Sequence, residues 1–255
     1  MNNILTQRIG GVLRIQFNRA EKKNAITAAM YQALAHALRQ AERDNAVRVG
    51  LLHGAPDVYT AGNDLQDFLA SPPRSTDAPV FQFLRAIHDF PKPLIAAVSG
   101  LAVGIGTTML LHCDLVYCAP GTRFSVPFVN LGLCPEAGSS FLLPRLAGYQ
   151  RAAELLMLGE PFAAETAKQI GLVNAIVPAE SLLATAMAAA EKLAAKPAAS
   201  LRKTKMLMKQ GIHEAVKLAM GDESVAFREC LQSQEAKEAF CAFLEKRQPD
   251  FSRFH

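Results

Sequence analysis

The sequence predicts an α/β fold that closes with a helical layer, and three features of the chain predict it. Short apolar or alternating segments, Ile4 to Arg8, Val12 to Phe17, Val47 to His53 and Leu94 to Val98, read as strands. Segments with apolar residues at helical spacing fall between them, and such alternation is the pattern of a sheet covered by helices. From about Tyr149 the strands nearly vanish and Ala-rich helical patterns take over.

In chain order, Gly10-Gly11 between the first two strands is a hairpin signal. Tyr31, Leu34, Ala35, Leu38 and Ala41 recur at helical spacing behind Thr27, a good N-cap, so residues 28–43 are expected to form an amphipathic helix. After a turn at Gly54-Ala55-Pro56-Asp57 comes Ala61-Gly62-Asn63-Asp64. The stretch from Ser71 to Pro79 is too rich in Pro and Ser for regular structure and reads as a mobile surface loop. A helix from Val80 to Phe90 is stopped by Pro91 and Pro93. Pro93 to Cys113 is a run of 21 uncharged residues, long enough for a bilayer. Ser99, Gly100, Gly104, Gly106, Thr107, Thr108 and His112 dilute it, and no aromatic belt flanks it, so a buried strand, a turn and a buried helix are expected. In the tail, helical patterns cover 149–170 and 179–245 around a strand at Val173 to Val177. No repeat or linker divides the chain, which reads as one structural unit with a core over 1–195 and a helical region over 196–255.

With 255 residues, 50% hydrophobic, 20% charged and a mean hydropathy of +0.12, disordered, collagen-like and disulfide-scaffold classes are excluded. A net charge of +4 suits an anionic small molecule better than a nucleic-acid backbone. Five cysteines form no CxxC pair, the start carries no apolar leader and the last residues are no peroxisomal tripeptide. Reduced thiols and a cytoplasmic location are therefore expected.

Gly104-Ile105-Gly106 lacks the third glycine of a dinucleotide loop, and there is no GxxxxGK[ST], HExxH or GxSxG. His112-Cys113-Asp114 cannot aim three consecutive side chains at one metal, and no metal site is expected. Lys192, Lys196, Arg202, Lys203, Lys205 and Lys209 form a basic run without an acid, which is either a solvated helix face or a patch for an anionic ligand. Glu136 is the lone acid between Val126 and Leu143. A carboxylate there either favours the N-terminus of a helix opening near Gly138 or works as a base in apolar surroundings.

Five segments together resemble the crotonase, or enoyl-CoA hydratase/isomerase, family across nearly the whole chain. They are Asn18-Arg19 with Asn24-Ala25-Ile26, Ala61-Gly62-Asn63-Asp64-Leu65, Val98-Ser99-Gly100-Leu101-Ala102-Val103-Gly104, Asn130-Leu131-Gly132 with Glu136, and Phe243-Leu244-Glu245-Lys246-Arg247. The resemblance implies a crotonase-like right-handed spiral of ββα units with a helical C-terminal trimerisation region. It implies that two backbone N–H groups, at Ala61 and Ile105, hold an acyl-thioester oxygen, with the bulk of Ile105 narrowing the pocket. The two glutamates of the hydratases are replaced by Thr108 and Phe128, whereas Glu136 stands where the Δ3,Δ2-enoyl-CoA isomerase branch carries its catalytic glutamate.

What the resemblance implies, then, is an isomerase of fatty acid β-oxidation that moves a 3-enoyl-CoA double bond to the 2-position. It would be a homotrimer or dimer of trimers, with no metal or other cofactor (CoA belongs to the substrate) and no nucleic-acid or membrane partner. Ala61, Gly62, Asn63, Asp64, Leu65, Ile105 and Lys246 would bind substrate, with Lys22 and Lys23 as further cations near CoA. Leu65, Phe68, Phe83 and Phe128 either line an acyl tunnel or are ordinary core. The alternatives are an enoyl-CoA hydratase, another crotonase-type reaction on an acyl-CoA, or a non-catalytic CoA- or RNA-binding member.

Overall fold

The computed structural model describes residues 2–73 and 75–254. Strands β1 (Ile4–Ile9) and β2 (Val12–Phe17) form the hairpin, turning at Gly10 with a positive φ of 55°. Helix α1 (Ala28–Arg43) begins where the Thr27 side chain accepts from Met30 N, and it buries the apolar stripe that its spacing predicts. Then follow β3 (Val49–His53), α2 (Leu65–Ala70), α3 (Pro79–Asp89), β4 (Leu94–Val98), β5 (Leu101–Val103), α4 (Ile105–Thr108), β6 (Leu115–Cys118) and β7 (Arg123–Ser125). The rest comprises α5 (Ser139–Ala147), α6 (Tyr149–Ala153), β8 (Phe162–Ala163), α7 (Ala164–Gln169), β9 (Ala175–Ile176), α8 (Leu182–Ala194), α9 (Ala198–Gln210), α10 (His213–Gln232) and α11 (Gln234–Glu245).

The nine strands of the described residues divide between two sheets. The long sheet has the order β1-β2-β3-β4-β6-β9, parallel after the hairpin, and the short one the order β5-β7-β8. Strand β3 is buried along its whole length because both faces are covered. Val49 and Leu51 pack with Leu182, Ala186 and Ala190 of α8, while Leu52 belongs to the larger core with Leu34 and Leu38 of α1 and Leu84 of α3.

One sequence expectation changes. Residues 149–170 are not one helical stretch, since a π turn over Glu154–Leu158 and strand β8 interrupt them. Phe162 and Ala163 pair with Phe124 and Arg123, and a two-residue strand leaves no periodicity to read. The uncharged run of 93–113 divides into β4, β5, α4 and a 3-10 turn, and no helix among the described residues is long and apolar enough to cross a membrane. The Ser71-to-Pro79 segment is irregular where described, and α3 holds it through Gln82 Nε2 donating to Asp77 O and Arg85 Nη1 to Thr76 O; Arg74 lies outside the described residues.

The basic run is not a uniformly solvated face. Lys205 is buried, donating to Asp114 Oδ2 at 2.7 Å and to Lys92 O at 2.8 Å, which ties α9 to the turn before β4. Asp114 Oδ2 also accepts from Leu94 N at 2.7 Å, and the Lys92 ammonium caps the end of α1 through the carbonyls of Ala41, Asp44 and Val47. Removing one partner of such a pair strands the other charge. Lys205→Met therefore loses about 3 kcal/mol in urea unfolding, and Lys205→Met with Asp114→Asn loses less than the two single variants added together.

Candidate active site

Asn24 organises the loops that build the site. It is fully buried with a left-handed φ of 54°, its Nδ2 donating to Val58 O (3.1 Å) and Tyr59 O (3.0 Å) and its Oδ1 accepting from Arg19 N (2.7 Å). The loop after β2 is thereby drawn against residues 58–64. Ala61 N donates to Lys23 O, Gly62 N to Thr60 Oγ1, Ile26 N to Gly62 O and Asp64 N to Ile26 O. Within Ala61 to Asp64, Asn63 alone keeps an N–H without a partner among the described residues.

The neighbouring loop does the same. Gly104 N donates to Ser125 O, and Thr107 and Thr108 N donate back to Gly104 O, so the Ile105 N–H at the head of α4 is also unpartnered among the described residues. The two loops touch: a Cβ on Gly62, whose φ is +84°, would stand 2.6 Å from Val103 O, a spacing that only glycine permits.

This geometry corrects the assignment of Ala61 as an oxyanion donor, because its N–H is taken by Lys23 O, and the free N–H belongs to Asn63 two residues on. Nor does Ile105 narrow the pocket. Its side chain is packed in the core, and Val103 and Gly104 supply the wall there. Asp64 is structural: it pairs with Arg19 at 2.6 Å and caps α2 through Gln66 N and Asp67 N. Burial pushes its carboxyl up, but the Arg19 guanidinium and those amides outweigh burial and hold it below the usual range.

A cavity of about 590 Å³ opens over these loops, lined among others by Ala61, Gly62, Asn63, Leu65, Phe68, Phe128 and Phe227. Phe83 is not among its walls; it packs in the core against Tyr31. Lys22 and Lys23 border it and have no carboxylate partner among the described residues. Lys246 does not border it. The structure brings Phe243, Leu244 and Arg247 there instead, with Arg247 already paired to Glu238 at 2.5 Å and Glu245 at 2.6 Å, while Lys246 ends α11 in a left-handed conformation.

Deeper in, Asn63, Phe68 and Phe227 also wall a chamber of about 10 Å³ with Phe81, Leu84 and Glu136, room for about one water. Glu136 is 6% exposed. Its Oε1 accepts from the Thr108 hydroxyl and its Oε2 has no partner among the described residues. Tyr31 OH donates to Asn63 Oδ1 beside it. Burial pushes Glu136 up to about 8, with the Thr108 hydroxyl pulling the other way and the Glu223 charge adding to the rise.

Burial prevails because the nearby helix end is already occupied. Glu223 of α10 accepts from Gly138 N (2.6 Å), Ser140 N (2.9 Å) and Ser140 Oγ (2.5 Å), capping α5 from 85 positions downstream. Sequence reading passed over Glu223, although Val216, Met220, Glu223 and Phe227 recur on one helical face and a carboxylate among them signals a buried task. Ala137, which turns the chain between Glu136 and α5, has a left-handed φ of 62°. Its carbonyl accepts at 2.7 Å from His112 Nε2, which therefore carries the proton of a ring that burial holds down to about 3 and so keeps neutral.

The comparisons with known proteins agree with this architecture. The enoyl-CoA hydratase/isomerase family profile matches residues 7–253. Enoyl-CoA delta isomerase 2 of Rattus norvegicus is 37% identical over 96% of this chain, which spans 64% of that relative's length. The 1,2-epoxyphenylacetyl-CoA isomerase of Escherichia coli is 35% identical over 99% of both chains. The solved structure of Pseudomonas aeruginosa OdaA superposes with a TM-score of 0.93 at 46% identity, covering 96% of this chain and 99% of its own. Hydratases stand among the relatives too, such as the short-chain-enoyl-CoA hydratase of Clostridium acetobutylicum at 30% identity over 97% of this chain and 96% of its own. With a crotonase fold and near-complete coverage, this chain belongs to the enoyl-CoA hydratase/isomerase family.

Proposed function

We propose that the protein is a Δ3,Δ2-enoyl-CoA isomerase in which Glu136 alone carries the proton. The observation that carries this reading is one buried carboxylate with a free oxygen, facing the chamber beside Asn63, with a threonine and a phenylalanine at the two positions where the family's hydratases hold their acids. The name of the rat relative supports it. Glu136 Oε2 removes a C2 proton from a 3-enoyl thioester, and charge moves to the thioester oxygen. The Asn63 and Ile105 N–H groups receive that oxygen, each worth about 3 kcal/mol in such a role. The protonated Glu136 returns the proton at C4, leaving the double bond between C2 and C3. Atoms balance without metal or redox cofactor, and water need not be activated. Thr108 holds the carboxylate in place.

The CoA moiety lies along Ala61 to Leu65 with Lys22 and Lys23 near its phosphates. Assembly into a homotrimer or dimer of trimers is supported by the exposed apolar side chains of α9 to α11, including Met206, Met208, Leu218 and Phe243.

With 3-hexenoyl-CoA, isomerisation outruns the hydration of crotonyl-CoA, and Glu136→Gln lowers kcat by a thousandfold or more, as expected when a sole acid–base group is lost. Faster hydration, or full activity in Glu136→Gln, contradicts the proposal. Because the base must be ionised and sits near 8, kcat/KM climbs about tenfold per pH unit below that value and levels above it. Thr108→Val removes a hydrogen bond to the ionised form and moves that limb upward by about one unit.

Stability runs the opposite way. The folded value of about 8 exceeds the ordinary 4.5, so the contribution of protonated Glu136 is full below 4.5 and is lost as pH rises through 8. Glu136→Gln accordingly melts higher than the parent at pH 9, with a smaller difference at pH 5.

A further inference from the structure

We propose that His88, Asp89 and His213 bind a divalent transition-metal ion, with Zn²⁺ as the fitting ion, where the end of α3 meets the start of α10. The site is separate from the proton path of Glu136 and goes beyond the acyl-CoA reading. His88 Nε2, Asp89 Oδ1 and His213 Nε2 lie within 4.8 Å of one another, with Asp89 Oδ1 at 3.9 Å from the first imidazole and 3.7 Å from the second. The two rings stack with centroids 4.5 Å apart at 19°.

The feature that points to a ligand is His88 itself. Its side chain is 5% exposed, yet Nε2 has no hydrogen-bond partner among the described residues. Leaving such a nitrogen buried and unmatched is costly, and a metal ion would occupy its lone pair. Two imidazoles and one carboxylate form a donor set that Zn²⁺ accepts, with water in the fourth place.

The distances are close to what an ion needs. Donor atoms about 2.0–2.1 Å from tetrahedral zinc stand about 3.4 Å from one another. The His–Asp separations of 3.7 and 3.9 Å therefore shorten by a few tenths, and the near-parallel imidazoles tilt apart so that both in-plane lone pairs meet one ion; Asp89 and His213, 59% and 37% exposed, are the groups placed to turn. A cleft of about 150 Å³ bordered by His88, Asp89, Arg85 and Lys217 has room for the water.

The charges around it are mixed. Lys209 borders the same gap as His88 and His213 and opposes a cation, though burial lowers its own pKa to about 8. Glu214 Oε1, 3.9 Å from His213 Nε2, acts in favour, with Lys217 at 4.0 Å partly offsetting it. His112 is not a ligand, because its Nε2 is committed to Ala137 O.

A bound ion would pin α3 to α10, the helices that bring Phe81, Leu84 and Phe227 around Glu136. The test is titration of the tag-free, chelator-treated full chain with Co²⁺, followed by displacement with Zn²⁺. One equivalent of Co²⁺ with tetrahedral visible bands is expected, and Zn²⁺ raises the melting temperature. Asp89→Asn and His213→Gln, both at accessible positions, weaken Co²⁺ binding by about tenfold or more, and His88→Gln abolishes the tetrahedral bands. Unchanged affinity in Asp89→Asn and His213→Gln, or no binding at submillimolar Co²⁺ in the parent, overturns the proposal. The readout needs no acyl-CoA, so it stands or falls apart from the isomerase assay.

Discussion

The N-terminus of α5 offers amide donors at Gly138 and Ser140, and the charge of the acid that caps it is felt by Glu136. Glu223 takes both donors, and Glu136, at the turn into the same helix, is left with one hydroxyl on one oxygen and nothing on the other. A carboxylate in that position is expensive to ionise, which is why it stays protonated further up the pH scale than an ordinary glutamate. Burial is the main cause, the charge of Glu223 adds to it, and the left-handed Ala137, its carbonyl held by His112, turns the chain between Glu136 and α5.

The same logic of satisfied and unsatisfied donors builds the opposite wall. Nearly every amide around Ala61 to Asp64 and Gly104 to Thr108 is consumed by loop-to-loop bonding that starts from Asn24. The amides that escape among the described residues include those of Asn63 and Ile105, on loops brought together at Gly62. A rigid frame with open donors costs no rearrangement when charge develops on a bound oxygen. Polar bonding elsewhere serves the frame alone, as with Arg19 and Asp64 or Lys205 and Asp114.

Much of the fold was legible because it depends on local pattern. Helix α1 follows from its apolar stripe and Thr27, and β4 from an apolar run behind Pro91 and Pro93. The acid at 136 stood out as the one charge in an apolar stretch, and Leu65, Phe68 and Phe128 do line the cavity. Most of the failures concern relationships across long separations, and two are local. Whether Ala61 or Asn63 keeps its N–H depends on Lys23, and the state of Glu136 depends on Glu223. The burial of Lys205 depends on Asp114, 91 positions earlier. Lys246 and Arg247 differ only in how the last turn of α11 unwinds. Strand β8 has two residues and so no period.

The central claim is that burial, unrelieved by the helix end, sets the ionisation of Glu136. Carboxyl-carbon NMR of the glutamate-labelled protein, with Glu136→Gln assigning the resonance, measures this directly. A midpoint near pH 8 that falls in a variant admitting water to the chamber is the result the account predicts. A midpoint at the ordinary glutamate value, about 4.5, would contradict it.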